Sequence, residues 1–319
     1  MTRFIVVRLG QACVVLLLVS VLTFILVRLL PGGPVQALLG THNTPGAAAA
    51  LEQKLGLDKP LVIQYATWVG DLLRGDLGFS YVRQSSVTSL IAASLPNSML
   101  LGAMAFVMAL LVAIPLGVFQ ALHPNSWSDF AATTAAFVLY SMPIFFIGAL
   151  AILYLSVYHP VFPPGGVGPA GVTDLSWGTR LYYAFMPATV LALVQLAVWS
   201  RYVRSSMLET LAKDYIRTSR AQGLSMGQTV RQHGLRNASV PVIQLIGLSL
   251  PALIGGVVVV ESVFNYPGMG YLLWQGAIQY DFPVILGVTV IAGLAVVLGT
   301  LAADLLHTMV DPRVRDGIG

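Results

Sequence analysis

Leu211-Ala212-Lys213-Asp214-Tyr215-Ile216-Arg217-Thr218-Ser219-Arg220-Ala221-Gln222-Gly223-Leu224-Ser225-Met226-Gly227-Gln228 lies at the centre of a polar stretch, Ser205 to Pro241, between long apolar runs. The stretch holds Glu209, Lys213, Asp214, Arg217, Arg220, Arg231 and Arg236 in a chain only 9% charged. Mean hydropathy over the chain is +0.80. Unpaired charge is costly inside a bilayer, so this island belongs outside it, and the runs around it belong within.

Working outward, six runs approach or exceed the length that crosses a hydrocarbon core of about 30 Å. They are Leu9–Leu30, Ser98–Leu122, Phe130–Tyr158, Ala184–Val203, Val240–Val260 and Pro283–Leu306. The first is followed by Pro31-Gly32-Gly33-Pro34 and not by a small-residue cleavage pattern, so it reads as a retained span. With a cytoplasmic N-terminus, Arg3, Arg8, Arg201, Arg204, Lys213, Arg217, Arg220, Arg231, Arg236, Arg313 and Arg315 fall inside. Arg28, Lys54, Lys59, Arg74, Arg83 and Arg180 fall outside, mostly in one long loop that the positive-inside rule discounts. Both termini are therefore expected in the cytoplasm. The pI of about 9.3 follows from this topology, without a nucleic-acid partner.

Residues 31–97 form a long outer segment with helical signals of its own. Ala47 to Leu55 favours helix and stops at Gly56; Val62, Tyr65, Ala66, Val69, Leu72 and Leu73 recur at helical spacing and stop at Gly75. A small helical cap is expected there. His159 to Arg180 is rich in Pro and Gly and reads as a rigid, irregular loop; a third outer segment runs from Glu261 to Phe282. Residues 98–308 make a core of five spans with an inner loop at 205–237, and 309–319 make a short tail. Pro115, Pro143, Pro187 and Pro251 lie inside spans; Pro143, near mid-span, reads either as a hinge or as a static bend repaired by neighbours.

Catalytic signatures are missing from the sequence. The five histidines lack metal-ligand spacing, Cys13 is the lone cysteine, and neither Gly-x-Ser-x-Gly nor His-Glu-x-x-His occurs. No lysine is preceded by glycine, so a phosphate-binding loop is excluded, and the chain itself is expected to bind no cofactor and no metal. Spans two to four lack ionisable groups away from their ends; Glu261 and Asp304 near the last two span ends are explained by interfacial placement. An ion-coupled carrier usually keeps carboxylates at mid-depth, so a transporter energised by another subunit fits better.

Within the polar island, Leu208, Leu211, Ala212, Tyr215 and Ser219 share one helical side, while Lys213, Arg217 and Arg220 group on another. Glu209 and Lys213 have the spacing of a helical ion pair. Gly223 can take a left-handed C-terminal conformation, and Ser225 with Gln228 has capping-box spacing for a second helix, ending before Pro241. This grammar fits a helix–turn–helix docking platform; a solvated interhelical loop is the alternative.

Asp214 to Leu224, followed by His233-Gly234-Leu235-Arg236-Asn237-Ala238-Ser239-Val240-Pro241, resembles the cytoplasmic coupling loop of type I ABC importer permeases, dipeptide/oligopeptide/nickel branch. Arg217-Thr218-Ser219 stands where other branches carry Glu-Ala-Ala. The cap stretches Leu55 to Leu61 and Gly75 to Ser80 resemble the same branch, as do Glu261 to Gly270 and Asp281-Phe282-Pro283. The resemblance implies an all-α membrane protein of six transmembrane helices in the cytoplasmic membrane of a bacterium or archaeon. It also implies a homologous second permease, two cytoplasmic ATPases that bind ATP and Mg, and an extracytoplasmic binding protein delivering a short peptide. Arg217, Thr218, Ser219, Arg220, Gly223 and Ser225 would seat the ATPase; Asp76, Glu261, Pro267, Gly268 and Asp281 would form an outer gate or binding-protein contact. Gln195, Trp199 and Ser249 are candidate pore-lining residues. Nickel, glutathione or another small ligand is the alternative cargo, and an ion-coupled carrier the alternative class.

Overall fold

The computed structural model describes residues 2–29, 35, 39, 45–54, 56–172, 174–235 and 258–310. Helix α1 (Thr2–Leu29) leads to a cap of α2 (Pro45–Lys54), α3 (Leu61–Leu73) and a two-stranded antiparallel hairpin, β1 (Phe79–Ser80) with β2 (Ser85–Ser86). There follow α4 (Val87–Leu122), α5 (Trp127–Ser141), α6 (Ile144–Ile152, extended to Tyr158 by a π-helical turn), α7 (Trp177–Leu211) and α8 (Asp214–Ala221). The described chain ends with α9 (Met226–Thr229, extended to Gly234 by a π-helical turn), α10 (Val258–Val263), α11 (Met269–Ile278) and α12 (Phe282–Val310).

Gly10–Leu29, Val87–Leu122, Trp177–Leu211 and Phe282–Ala302 are each long and apolar enough to cross a membrane. The expected third span is not one kinked rod: α5 and α6 meet at 98°, broken at Met142-Pro143. Pro143 lacks an N–H and, at φ −59°, starts α6 afresh while Phe146 and Ile147 donate to its carbonyl. Pro96, Pro115 and Pro187, by contrast, sit inside continuous helices. The expected fifth span and its Pro251 lie outside the described residues, except for Val258 to Val260 at the start of α10.

Two central helices carry the core. Leu101, Ala105, Ala109, Ala113, Gly117 and Ala121 recur every fourth residue on α4 and are all buried. Ala184, Ala188 and Ala192 do the same on α7. Such small-residue stripes let helix backbones approach closely where the solvent is lipid and not water. At about 1.5 Å per residue, the 36-residue α4 and 35-residue α7 each exceed 50 Å, well beyond a core of roughly 30 Å. Both must project from the membrane. Around them, α1 packs on α12, and the cap leans on both through Phe24, Tyr65, Trp68 and Phe282.

Helices α2 and α3 stop where glycines allow. In α2 and α3 the last turn closes with the same bond pair, Leu57 to Glu52 with Gly56 to Gln53, and Asp76 to Asp71 with Gly75 to Leu72. The 79–86 hairpin was not foreseen. Of the loop expected from His159 to Arg180, residues 159–172 and 174–176 are irregular while 177–180 already belong to α7, and the loop docks by the Gly166 N–H on the Phe264 carbonyl at 2.9 Å.

Candidate functional site

The platform begins later than the sequence suggests. Helix α7 runs without a break through the end of the fourth apolar run and stops only at Leu211. Lys213 therefore sits in extended backbone (φ −74°, ψ 148°) at the start of α8, outside the helix that carries Glu209, and the expected helical pair on one rod does not form. Helix α8 is thus a short arm turned off the end of a long one.

That arm has one face in and one face out. Ile216 and Ser219 are buried, and the Ser219 hydroxyl donates to the Tyr215 carbonyl at 2.8 Å. Arg217, Thr218 and Arg220 are exposed; Thr218 donates to the Asp214 carbonyl at 3.1 Å. Arg217 stands 3.8 Å from Asp214 with both side chains more than four-fifths exposed, a contact of little energetic weight. Its charge remains available to a partner.

Gly223 takes φ +92°, the left-handed region that side chains with a Cβ avoid. Leu224 N–H reaches the Ser219 carbonyl at 3.3 Å and Gly223 N–H the Arg220 carbonyl at 3.0 Å, the paired bonds of a Schellman turn. Ser225 then opens α9: its hydroxyl accepts from Gln228 N at 3.3 Å, while Gln228 Oε1 accepts from Ser225 N at 2.9 Å. The segment folds back so that Val230 packs with Ala121, Val203 and Met207 at the ends of α4 and α7. Helix, left-handed turn and capped helix form one continuous unit packed against the ends of the central helices. Beyond Leu235 the expected loop lies outside the described residues.

At the opposite end, the residues expected to form an outer gate or binding-protein contact take different structural roles. Glu261 is fully buried within the protein. Its Oε1 accepts from Ser98 Oγ at 2.6 Å and its Oε2 from Tyr271 N at 2.9 Å, while Ser98 Oγ accepts from Met269 N at 2.7 Å. Burial pushes this carboxyl above its usual range, opposed by the Ser98, Tyr271 and Gly270 hydrogen bonds. The carboxyl group thus holds the otherwise unpaired amides at the start of α11, the Met269 amide through Ser98. Gly268 is required for this: a Cβ there would lie 2.2 Å from Glu261 Oε1. Pro267 is half-buried and its carbonyl accepts from Asn97 Nδ2 at 2.9 Å.

Asp281 is likewise buried, accepting from Ser80 Oγ and from the Val284 amide, so it caps α12 and ties it to the hairpin. Asp76 is exposed and holds the Gly78 N–H at 2.8 Å in a local turn. Between cap and core lies a cavity of about 440 Å³ lined in part by Arg28, Lys59, Trp68, Asp71 and Tyr280.

Of the three candidate pore residues, Gln195 is half-buried on α7. Trp199 is 1% exposed and packs edge-on against Phe106 at 5.2 Å, so it belongs to the α4–α7 core and reaches no open surface of the subunit. Ser249 lies outside the described residues. The sequence reading missed Asp129, which Arg204 grips from α7. The signal was present: Ser126-Trp127-Ser128-Asp129 has capping-box spacing in a chain that spares few charges near its spans.

Among the described residues no three His, Cys, Asp or Glu side chains group as a metal site. Comparison with known proteins agrees with this architecture. Residues 113–316 match the family described as binding-protein-dependent transport system inner membrane component, and residues 1–102 match its N-terminal companion. The chain is 39% identical over 316 residues to the oligopeptide transport system permease protein AppB of Bacillus subtilis, covering 99% of this chain and 100% of that one. It is 34% identical to the dipeptide transport system permease protein DppB of Escherichia coli, covering 99% of both. Among solved structures, an inward-facing form of the MetNI methionine ABC transporter superposes with a TM-score of 0.57 at 19% identity, over 70% of this chain and 96% of that one. The chain belongs to the binding-protein-dependent transport system inner membrane component family, with the helical fold of type I ABC importer permeases.

Proposed function

We propose that this chain is a transmembrane permease subunit of an ATP-driven importer of short peptides. In this reading α8, Gly223 and α9 form the coupling helix on which a cytoplasmic ATPase pulls. The observation that carries it is the two-faced arm at the tip of α7: Ile216 and Ser219 anchor it, and Arg217, Thr218 and Arg220 point outward. ATP and Mg belong to the partner ATPases, which close, draw the two permeases through their arms and open the cavity to the outer face. A binding protein docks on the cap side and hands over the peptide. Hydrolysis then resets the arms and opens the path inward, with both termini of this chain in the cytoplasm. Peptide cargo rests on the relatives' printed activities, transferred over the full length of the chain.

Affinity purification of the tagged chain from its own host, with identification of what comes with it, tests the reading. An ABC ATPase and a second permease are expected in the eluate. Labelled di- and tripeptides, nickel and glutathione should then be offered to the reconstituted complex; uptake of nickel or glutathione alone would replace the peptide assignment.

A further inference from the structure

Helix α5 carries an acid, Asp129, in its first turn, at the start of a helix that belongs to the broken span. A carboxylate there is costly unless paired and fully hydrogen-bonded. Asp129 is 4% exposed, and its partners among the described residues come from α4, from the α4–α5 turn and from α7. From α7, Arg204 Nε reaches Oδ1 at 2.8 Å and Nη2 reaches Oδ2 at 2.6 Å, a two-armed fork. From the α4–α5 turn, Asn125 N donates to Oδ2 at 3.0 Å. From the last turn of α4, Gln120 Nε2 approaches Oδ1 at 3.4 Å and also donates to Thr133 Oγ1 of α5 at 3.1 Å. One turn earlier on α7, Arg201 lies over the Phe137 ring of α5 at 4.5 Å, a second bond between the same two helices.

Position decides what this cluster can do. Arg204 stands about two helical turns before Leu211, where α7 ends and the α8 arm begins. The fork therefore joins α7 to α5 close to the arm, at the same end where Val230 packs back on Ala121 and Val203. An apolar contact between helices lets them slide by small shear; a bidentate ion pair with a buried carboxylate fixes both distance and angle. A shift of α7 must then carry the start of α5 with it. Helix α5 ends at the 98° break before Pro143, so its motion passes to a separately oriented α6.

We infer that Asp129 is a positioning residue for energy coupling: through Arg204 it locks the α4–α5 turn to α7, so that displacement of the α8–α9 arm becomes displacement of α5 and α6. The inference rests on the reading of that arm as the ATPase seat. Asp129 touches neither peptide nor nucleotide. It acts by keeping the moving helices in register.

The test uses the complete transporter, with its partner subunits, reconstituted in lipid vesicles, and measures peptide imported per ATP hydrolysed alongside thermal stability. Asp129→Asn removes the charge while keeping an acceptor for the Asn125 amide. It is expected to assemble with the ATPase and hydrolyse ATP, yet import per ATP should fall about tenfold or more, in the range of ordinary coupling energies. Arg204→Lys keeps the charge but loses the fork and should give a smaller fall in the same ratio. A lower melting temperature with an unchanged ratio in both variants would make the cluster merely structural and overturn the inference. Should Asp129→Asn not assemble, the ratio for Arg204→Lys decides by the same criterion. An eluate lacking any ATPase for the unmodified chain would instead defeat the reading of the arm, a failure distinguishable from that of the lock.

Discussion

Ser98 Oγ stands 2.6 Å from Glu261 Oε1 and also takes the Met269 N–H at 2.7 Å, so one hydroxyl of α4 joins a buried acid to the first amide of α11. Truncating the acid strands several buried donors at once. Glu261→Ala should cost about 1–3 kcal/mol for each donor left unpaired, whereas Glu261→Gln, which keeps one acceptor oxygen, should cost roughly 1 kcal/mol. Thermal unfolding of the purified complex checks the order. Equal losses for the two variants would mean that the carboxylate is filling space and not capping the helix.

Two glycines distinguish packing from exposure. A Cβ at Gly268 would lie 2.2 Å from Glu261 Oε1 and 2.4 Å from its carboxyl carbon, while one at Gly227 meets nothing within 4 Å. Gly268→Ala is therefore expected to lower the melting temperature sharply and Gly227→Ala to leave it within experimental scatter. A harmless Gly268→Ala would show that the outer loop yields around residue 268 more easily than its burial implies.

The cap rests on aromatic contacts with α1: Phe24 lies 5.4 Å from Tyr65 and 6.1 Å from Trp68 between ring centres, and Ser20 bonds the Tyr65 hydroxyl at 2.8 Å. Trp68→Ala should weaken this seat by about 2–3 kcal/mol, somewhat less than a fully buried truncation. Proteases should then nick residues 46–75 more readily, and peptide uptake should drop while the ATPase remains bound. Deleting Gly46 to Gly75 should abolish uptake altogether. Undiminished uptake by a stably inserted deletion would make the cap dispensable.

Much of this was legible in the sequence because the signals are local. Glycines at 56, 75 and 223 end helices by the same backbone rule, and Ser225 with Gln228 caps the next helix through atoms three residues apart. Four of the expected spans announce themselves by hydropathy. What stayed hidden depends on long-range contact. Asp129 and Arg204 are 75 residues apart, Ser98 and Glu261 are 163, and Ser80 and Asp281 are 201. No periodicity links such pairs. Trp199 was misplaced for the same reason: its residue type suits either a pore wall or a core, and only the approach of Phe106 decides. The 98° break exceeded expectation because Pro143 does not kink a helix here but begins one.

Topology admits a direct check. Single cysteines placed from Ala47 to Ala50, and from Pro163 to Gly166, should react with a membrane-impermeant maleimide in intact cells, in a background lacking Cys13. A cysteine at Gly227 should react only after permeabilisation. Reaction at Gly227 in intact cells would reverse the orientation on which the coupling scheme depends.

The central claim is that the α8–Gly223–α9 seat transmits ATPase motion, and Gly223 tests it most directly. Its φ is +92° and a Cβ there would touch nothing within 4 Å, so any penalty is conformational and not a clash. Alanine should cost roughly 1 kcal/mol, valine more, and asparagine least. Arg217→Glu should weaken the same contact in a milder, salt-sensitive way. The decisive measurement is peptide transport together with substrate-stimulated ATP hydrolysis for Gly223→Val in the reconstituted complex. The expected result is a subunit that inserts and pairs with its sister permease but loses ATPase recruitment or the link between substrate and hydrolysis; transport at the wild-type rate with full coupling would contradict the account.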